Sequence, residues 1–94
     1  MPQIHYIPRD KGSFVIEENS KRIAEMVVDI SAGLISVYHT GVVPEKQGQG
    51  IGSRLIEGMA HYAQQNKLKV VPYCPYVKAE FKKHPERYAA IWQK

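Results

Sequence analysis

Cysteine is scarce in this sequence and long apolar runs are missing from it. Among the 94 residues there is one cysteine, Cys74, so no disulfide can form within the chain, and a lone cysteine is typical of a reducing compartment. No apolar run approaches the roughly 20 residues that a membrane helix needs. The first residues lack the charged and then apolar pattern of a secretion signal. We therefore expect a cytoplasmic protein that does not enter a membrane.

Acidic residues are also in short supply, which gives the chain a formal net charge of +4. Nucleic acid, an anionic membrane and a polyanionic small molecule all attract such a chain. The basic residues are scattered, and Lys82-Lys83 is the longest run, so charge alone does not choose among these partners. Hydrophobic residues make up 44% of the sequence, enough for one modest core. The length predicts a single domain over residues 1–94.

The first half of the chain carries β-branched runs separated by short polar turns. These runs predict strands at residues 13–17, 22–30 and 34–43, with a short lead-in strand at residues 4–9. Consecutive strands joined by short turns form an antiparallel meander. Gly41, inside the last of these strands, predicts a bulge or a close backbone approach.

The second half alternates helix and strand. Apolar residues at helical spacing predict a helix from near Gly50 to Asn66, where asparagine tolerates a left-handed end. A strand follows at residues 69–74, and Pro75 suits the first position of a further helix reaching His84. A strand, a crossover helix and a strand imply parallel pairing. The predicted class is α+β, a mostly antiparallel sheet with one parallel strand-helix-strand crossover.

The segment from Val42 to Ser53 joins an apolar strand to this helix through a glycine-rich turn. Glycines at alternate positions expose the backbone, and the helix start adds unpaired N–H groups and a positive dipole end, which together favour phosphate. A P-loop requires a lysine after the glycines, and none is present. A dinucleotide fingerprint requires Gly-x-Gly-x-x-Gly, whereas the spacing here is Gly48-x-Gly50-x-Gly52. The pattern that fits is Gln-x-x-Gly-x-Gly.

This pattern resembles the acyl-CoA pyrophosphate motif of the Gcn5-related N-acetyltransferases. The resemblance extends beyond Gln47–Gly52, because residues 39–42, 71–77 and 84–86 look like those of the miniature, stand-alone YjdJ-type branch. It implies the acyltransferase fold, acetyl-CoA or coenzyme A as cofactor, and acetyl transfer to an unidentified amine. The residues that it implies for cofactor binding lie in and before the turn: Val42, Val43, Gln47, Gly48, Gln49, Gly50, Ile51, Gly52 and Ser53.

Two residues are candidates for the transfer chemistry. Cys74 ends a strand just before a helix, whose dipole favours thiolate. As a thiol it is a candidate to protonate the leaving CoA sulfur, and as a thiolate it is a candidate to attack the thioester and carry the acyl group. His39 lies on the strand where the resemblance places a general base. A small buried cysteine and a structural histidine are the competing interpretations. Tyr76 is a substitute acid, and no His, Cys and carboxylate spacing resembles a metal site.

Three functions remain open from the sequence. The first is an acetyl-CoA-dependent N-acetyltransferase, and the second is a CoA-binding or acyl-CoA-binding module with little or no transfer. The third, a nucleic-acid-binding protein, rests only on the positive charge and is not favoured. We expect a monomer or a weak homodimer.

Overall fold

A computed structural model describes residues 3–7 and 12–93 of the chain. Five strands form one sheet in chain order: β1 (Gln3–Ile7), β2 (Ser13–Glu18), β3 (Lys21–Ser31), β4 (Leu34–Val42) and β5 (Lys69–Pro72). The pairs from β1 to β4 are antiparallel, and β4 pairs with β5 in parallel. The predicted sheet and its parallel crossover are therefore confirmed, while residues 8 and 9 of the predicted lead-in strand lie outside the described residues.

The hairpins of the meander follow from two short turns. Asn19 and Ser20 have φ values of 53° and 64°, and Ala32 and Gly33 have 52° and 77°. Two consecutive left-handed residues give a turn whose twist matches that of the flanking antiparallel strands. The turns thus fix the pairing of β2 with β3 and of β3 with β4.

Three α-helices lie in the second half: α1 (Ile51–Gln65), α2 (Pro75–Lys83) and α3 (Pro85–Tyr88). A 3-10 turn at Pro44–Lys46, which the sequence did not predict, precedes α1. α1 ends with Asn66 as its C-cap, as predicted, but Asn66 has φ of −104° and the left-handed residue is Lys67, with φ of 55°. The Asn66 side chain instead donates to Tyr62 O at 2.9 Å. No helix of the described chain is long and apolar enough to cross a bilayer.

The core lies on one face of the sheet, which we call the helix face. Its strand residues are mainly alternate ones, such as Met26 and Val28 of β3, and they form one cluster with Leu55 of α1 and Phe81 of α2. Successive side chains of a strand point to opposite faces. Val27 therefore points to the second face, the outer face, together with the residues paired to it on neighbouring strands.

A bulge interrupts β4 close to the parallel strand. Val28 pairs with Val37 but Val27 pairs with His39, so Tyr38 is the extra residue. The predicted bulge position at Gly41 is wrong, since that glycine pairs regularly with Glu25. An extra residue locally bends a strand and increases its twist. The bend begins where β4 leaves β5.

Candidate functional site

β4 and β5 part before β4 ends, and a cleft opens between them. The last residue pair of their ladder is Val37 with Pro72, and one further hydrogen bond runs from Cys74 N–H to Val37 O at 2.9 Å. β4 continues to Val42 beyond this point. The cleft has a volume of about 400 Å³ and reaches from this strand edge to the start of α1.

The backbone of β4 presents hydrogen-bonding groups to this cleft. Val43 N–H donates to Ile23 O at 2.9 Å. Because hydrogen-bonded and non-hydrogen-bonded pairs alternate along an antiparallel ladder, the backbone N–H and C=O groups of Thr40 and Val42 point away from β3. Val42 O accepts from Gln47 Nε2 at 3.1 Å. Val43 O accepts from the Lys46 N–H at 3.0 Å. The backbone groups left for a ligand are therefore those of Thr40 and the N–H of Val42, and not those of Val43, which the sequence predicted together with Val42.

The glycine turn forms the other wall. Gly48 and Gly50 have φ values of 81° and 76°, and a Cβ added to either would project into open space. No side chain caps α1 at Gly50, and the Arg54 N–H donates to Gly50 O at 3.1 Å. The N–H groups of residues 51–53 therefore precede the helical ladder. Uncovered N–H groups at a helix start suit a phosphate group, so the corner fits a pyrophosphate.

Gly52 serves a different purpose from the other two glycines of the turn. A Cβ at this position would lie 2.9 Å from Cε2 of Tyr76, closer than real Cβ contacts. The glycine lets the ring of Tyr76, on the first turn of α2, lie against α1 and line the cleft. The ring therefore closes the cleft on the side of the helices.

Among the residues that the structure describes, Lys46 is the one cation that lines the cleft. Lys46 Nζ lies 2.6 Å from Glu18 Oε1, and this hydrogen bond, together with the charge of Lys46, lowers the pKa of Glu18 although burial opposes the shift. Arg54 of α1 and Lys82 of α2 are not among the residues that line the cleft. The position of Lys46 favours it for an anionic ligand.

Cys74 lies behind the cleft, on the helix face, and is not among the residues that line it. The residue is 5% exposed, and its thiol contacts the Thr40 hydroxyl as a donor at 3.7 Å. Cys74 is the N-cap of α2 and Pro75 is its first residue, as predicted. Thr40 itself lines the cleft. The Thr40 side chain therefore lies between the buried thiol and the cleft.

His39 lies on the outer face. It pairs with Val27, whose neighbours Met26 and Val28 are buried in the core, so the imidazole points away from the helices. The His39 Nε2 lies above Gly41, 3.3 Å from where a Cβ of that glycine would be. The two predicted catalytic residues are therefore on opposite faces of the sheet, on either side of the gap between β4 and β5.

The cleft gathers most, but not all, of the residues predicted for the cofactor. Six line it: Val42, Gln47, Gly48, Gly50, Ile51 and Gly52. Val43 lies in a groove beside Arg22, and Gln49 and Ser53 are not among the lining residues. Thr40 was not predicted as a site residue, because only the strand register shows which face of β4 it occupies. Within residues 3–7 and 12–93, no three His, Cys, Asp or Glu residues are grouped for a metal ion.

Comparison with known proteins agrees with this architecture. A family model described as GCN5-related N-acetyl-transferase matches residues 13–91. The chain belongs to this family. The solution structure of a GCN5-like protein from Staphylococcus aureus is similar, with a TM-score of 0.71 and 25% identity over 95% of this chain and 87% of that chain. No curated protein matches the chain.

A larger acetyltransferase shares the fold. The ribosomal-protein-S18-alanine N-acetyltransferase from Escherichia coli has a TM-score of 0.59 and 20% identity, over 69% of this chain and 39% of that chain. The GCN5-related chain described here therefore spans well under half of that enzyme. At this identity, the similarity concerns the fold alone.

Proposed function

We propose that this GCN5-related protein transfers an acetyl group from acetyl-CoA to a primary amine. The observation that carries the proposal is the cleft between β4 and α1, where a bare strand edge meets an uncapped, glycine-rich helix start. A strand edge suits the amides of pantetheine, and a helix start suits the pyrophosphate. No other feature of the described chain combines the two.

The glycine turn would hold the phosphates and the strand edge the pantetheine arm. The N–H groups of Ile51 and Gly52, which line the cleft, would be the donors for the pyrophosphate, and Lys46 would supply a positive charge beside them. Thr40 and Val42 offer backbone groups to the amides of pantetheine. This arrangement directs the sulfur end of the ligand toward Cys74, where β4 and β5 separate.

Acetyl-CoA supplies a thioester, whose carbonyl carbon bonds to the amine nitrogen while the C–S bond breaks and the sulfur retains the electron pair. The chain must then move two protons. His39, on the outer face, accepts the proton that the amine loses, and Cys74, on the helix face, donates one to the sulfur. Both residues flank the gap between β4 and β5, so the proposal requires the thioester to lie within that gap.

A second candidate is a module that binds acyl-CoA without transferring the acyl group. The burial of Cys74, with 5% of the residue exposed, favours it because the thiol is withdrawn from the cleft behind Thr40. The two candidates bind the same ligand in the same cleft, and they differ only in whether the acyl group is transferred to an amine.

Calorimetric titration with acetyl-CoA, CoA and dephospho-CoA tests both candidates together. We expect saturable binding, weaker for dephospho-CoA because it lacks one phosphate. Absence of heat at millimolar ligand would exclude the acetyltransferase and the binding module alike. Release of free CoA in the presence of an amine then separates them, since only the acetyltransferase releases CoA in proportion to the acetylated amine formed.

A further inference from the structure

The phenol of Tyr88 is buried among the helices, and the function proposed above does not use it. Tyr88 is the last residue of α3 and is 1% exposed. Its ring stacks on that of Phe81 of α2, with the two centroids 4.6 Å apart. Among the described residues, its hydroxyl is the one buried side-chain polar group that has no hydrogen-bond partner. An unpaired buried hydroxyl costs free energy, so its position requires an explanation.

A surface groove between α1 and α3 leads to this tyrosine. The groove has a volume of about 280 Å³ and shares no lining residue with the cleft. Ala60, on its α1 side, follows Gly52 by eight residues, which is about 12 Å along the helix. Its lining residues come from one face of α1 and from α3: Glu57, Ala60, His61, Gln64, Arg87 and Tyr88.

The Tyr88 hydroxyl is directed to the side of α3 that carries the groove. Burial raises the pKa of this phenol, the nearby Arg87 guanidinium opposes the shift, and the Glu57 and Glu80 carboxylates add to it. Arg87 and Glu57 both line the groove. The guanidinium is close enough to act on the phenol but is not placed to donate a hydrogen bond to it. At neutral pH the phenol is therefore uncharged, with a proton to donate.

Arg87 is held loosely within the chain. Its Nη1 lies 3.5 Å from Glu57 Oε1, and the two side chains are 50% and 51% exposed. An exposed ion pair of this kind contributes little to stability. Arg87 can therefore exchange Glu57 for a ligand, and the released Glu57 carboxylate returns to water.

We propose that the groove between α1 and α3 binds a small molecule through a carboxylate, which accepts hydrogen bonds from the Tyr88 hydroxyl and the Arg87 guanidinium. Both groups are donors, and the two oxygens of one carboxylate can accept from both. A water molecule takes about 30 Å³ of liquid, so the groove has room for a larger molecule. It lies near the lower limit of about 300 Å³ for ligand pockets. This site is separate from the cleft and goes beyond the proposed acetyl transfer.

Three matched probes test the proposal: benzoate, benzamide and benzylamine. They present the same ring with a carboxylate, a neutral amide or an ammonium group. Each is titrated by NMR into the full chain, with and without saturating CoA. We expect benzoate to give saturable shifts at Ala60, Gln64 and Tyr88, and to bind about tenfold more tightly than the other two. CoA should leave these shifts unchanged, because the groove and the cleft share no residue.

Variants identify the groups that hold the carboxylate. Tyr88→Phe keeps the ring on Phe81 and should weaken benzoate binding about tenfold, without lowering the free energy of unfolding, because no hydrogen bond within the chain is lost. Arg87→Gln should also weaken binding. Arg22→Gln is the matched control, since Arg22 likewise pairs with a glutamate, at 3.2 Å, but lies on β3. Glu57→Gln should strengthen binding, because it releases Arg87.

The outcomes that overturn the proposal are distinct from those that test the acetyltransferase. Equal binding of benzoate and benzamide overturns it, as does benzoate binding that Tyr88→Phe leaves unchanged. Absence of shifts at Ala60 and Gln64 at millimolar benzoate also overturns it, and is the result expected if the groove holds only water. None of these results concerns the cleft, where the proposed function fails separately if acetyl-CoA does not bind.

Discussion

The Cys74 thiol contacts the Thr40 hydroxyl across a Sγ–Oγ1 distance of 3.7 Å, just beyond the last paired residues of β4 and β5. This contact joins the N-cap of α2 to the strand edge that lines the cleft. In the proposed complex, the thiol lies near the sulfur of CoA. The contact also holds the thiol on the face of the sheet opposite His39.

Removal of the thiol is predicted to slow transfer without weakening acetyl-CoA binding. Cys74→Ala should lower kcat about a hundredfold, the usual contribution of a positioned acid, and Cys74→Ser should lose less because it keeps a donor. Steady-state kinetics with calorimetry measure the two effects. Intact-protein mass spectrometry distinguishes a proton donor from an acyl carrier, since an acetyl adduct on Cys74 identifies it as the carrier. An unchanged kcat in Cys74→Ala would remove Cys74 from the chemistry.

His39 is predicted to act on the amine rather than on the cofactor. His39→Gln should lower kcat/KM about a hundredfold at neutral pH and leave the affinity for acetyl-CoA unchanged, because the imidazole lies on the outer face. The deficit should shrink at higher pH, where more of the acceptor amine is already neutral. A deficit that stays constant with pH contradicts the role of general base.

Lys46 is predicted to strengthen binding through its charge. Lys46→Ala should weaken acetyl-CoA binding about fivefold at low ionic strength, and the difference should diminish in high salt because exposed charges are screened. Lys82→Ala is the matched control, since that lysine lies on α2 and does not line the cleft. Equal losses from both variants would show that the protein's overall charge, and not Lys46, attracts the ligand.

The Glu18–Lys46 pair predicts a pH dependence of stability. Because its folded-state pKa lies below the ordinary value of 4.5, Glu18 stabilises the fold above that value and loses this contribution as the pH falls through the folded pKa. Glu18→Gln should therefore lower the free energy of unfolding at neutral pH, and the difference from wild type should vanish in acid. Urea unfolding at several pH values measures this. A difference that persists unchanged in acid contradicts it.

A comparison of Gly50 with Gly33 separates the effect of an added side chain on ligand binding from its effect on backbone strain. Their φ values are 76° and 77°, and an added Cβ meets no atom within 4 Å at either. Alanine should therefore destabilise both sites by about 1 kcal/mol. Only Gly50→Ala should weaken acetyl-CoA binding, about tenfold or more, because its methyl group enters the space for the phosphates. Equal affinities in the two variants would contradict a phosphate site at Gly50.

The order of the strands and helices could be predicted because the spacing of apolar residues and the residues that form turns are both visible within short stretches of sequence. The strands, α1, and the start of α2 at Pro75 were all found near their predicted positions. The bulge was misplaced, because a glycine permits one but the pairing of Val27 with His39 and of Val28 with Val37 depends on a partner strand. For the same reason Thr40 was missed, since its place at the cleft depends on strand register and on where β5 ends, which no local pattern encodes.

The central claim, that the cleft holds acetyl-CoA, is tested most directly by mapping backbone amide resonances during a titration with that ligand. We predict saturable shifts at Thr40, Val42 and residues 47–53, with little change at the Ala32–Gly33 turn, which lies at the opposite end of β4. Shifts that saturate elsewhere on the chain, or none at millimolar acetyl-CoA, would contradict the account.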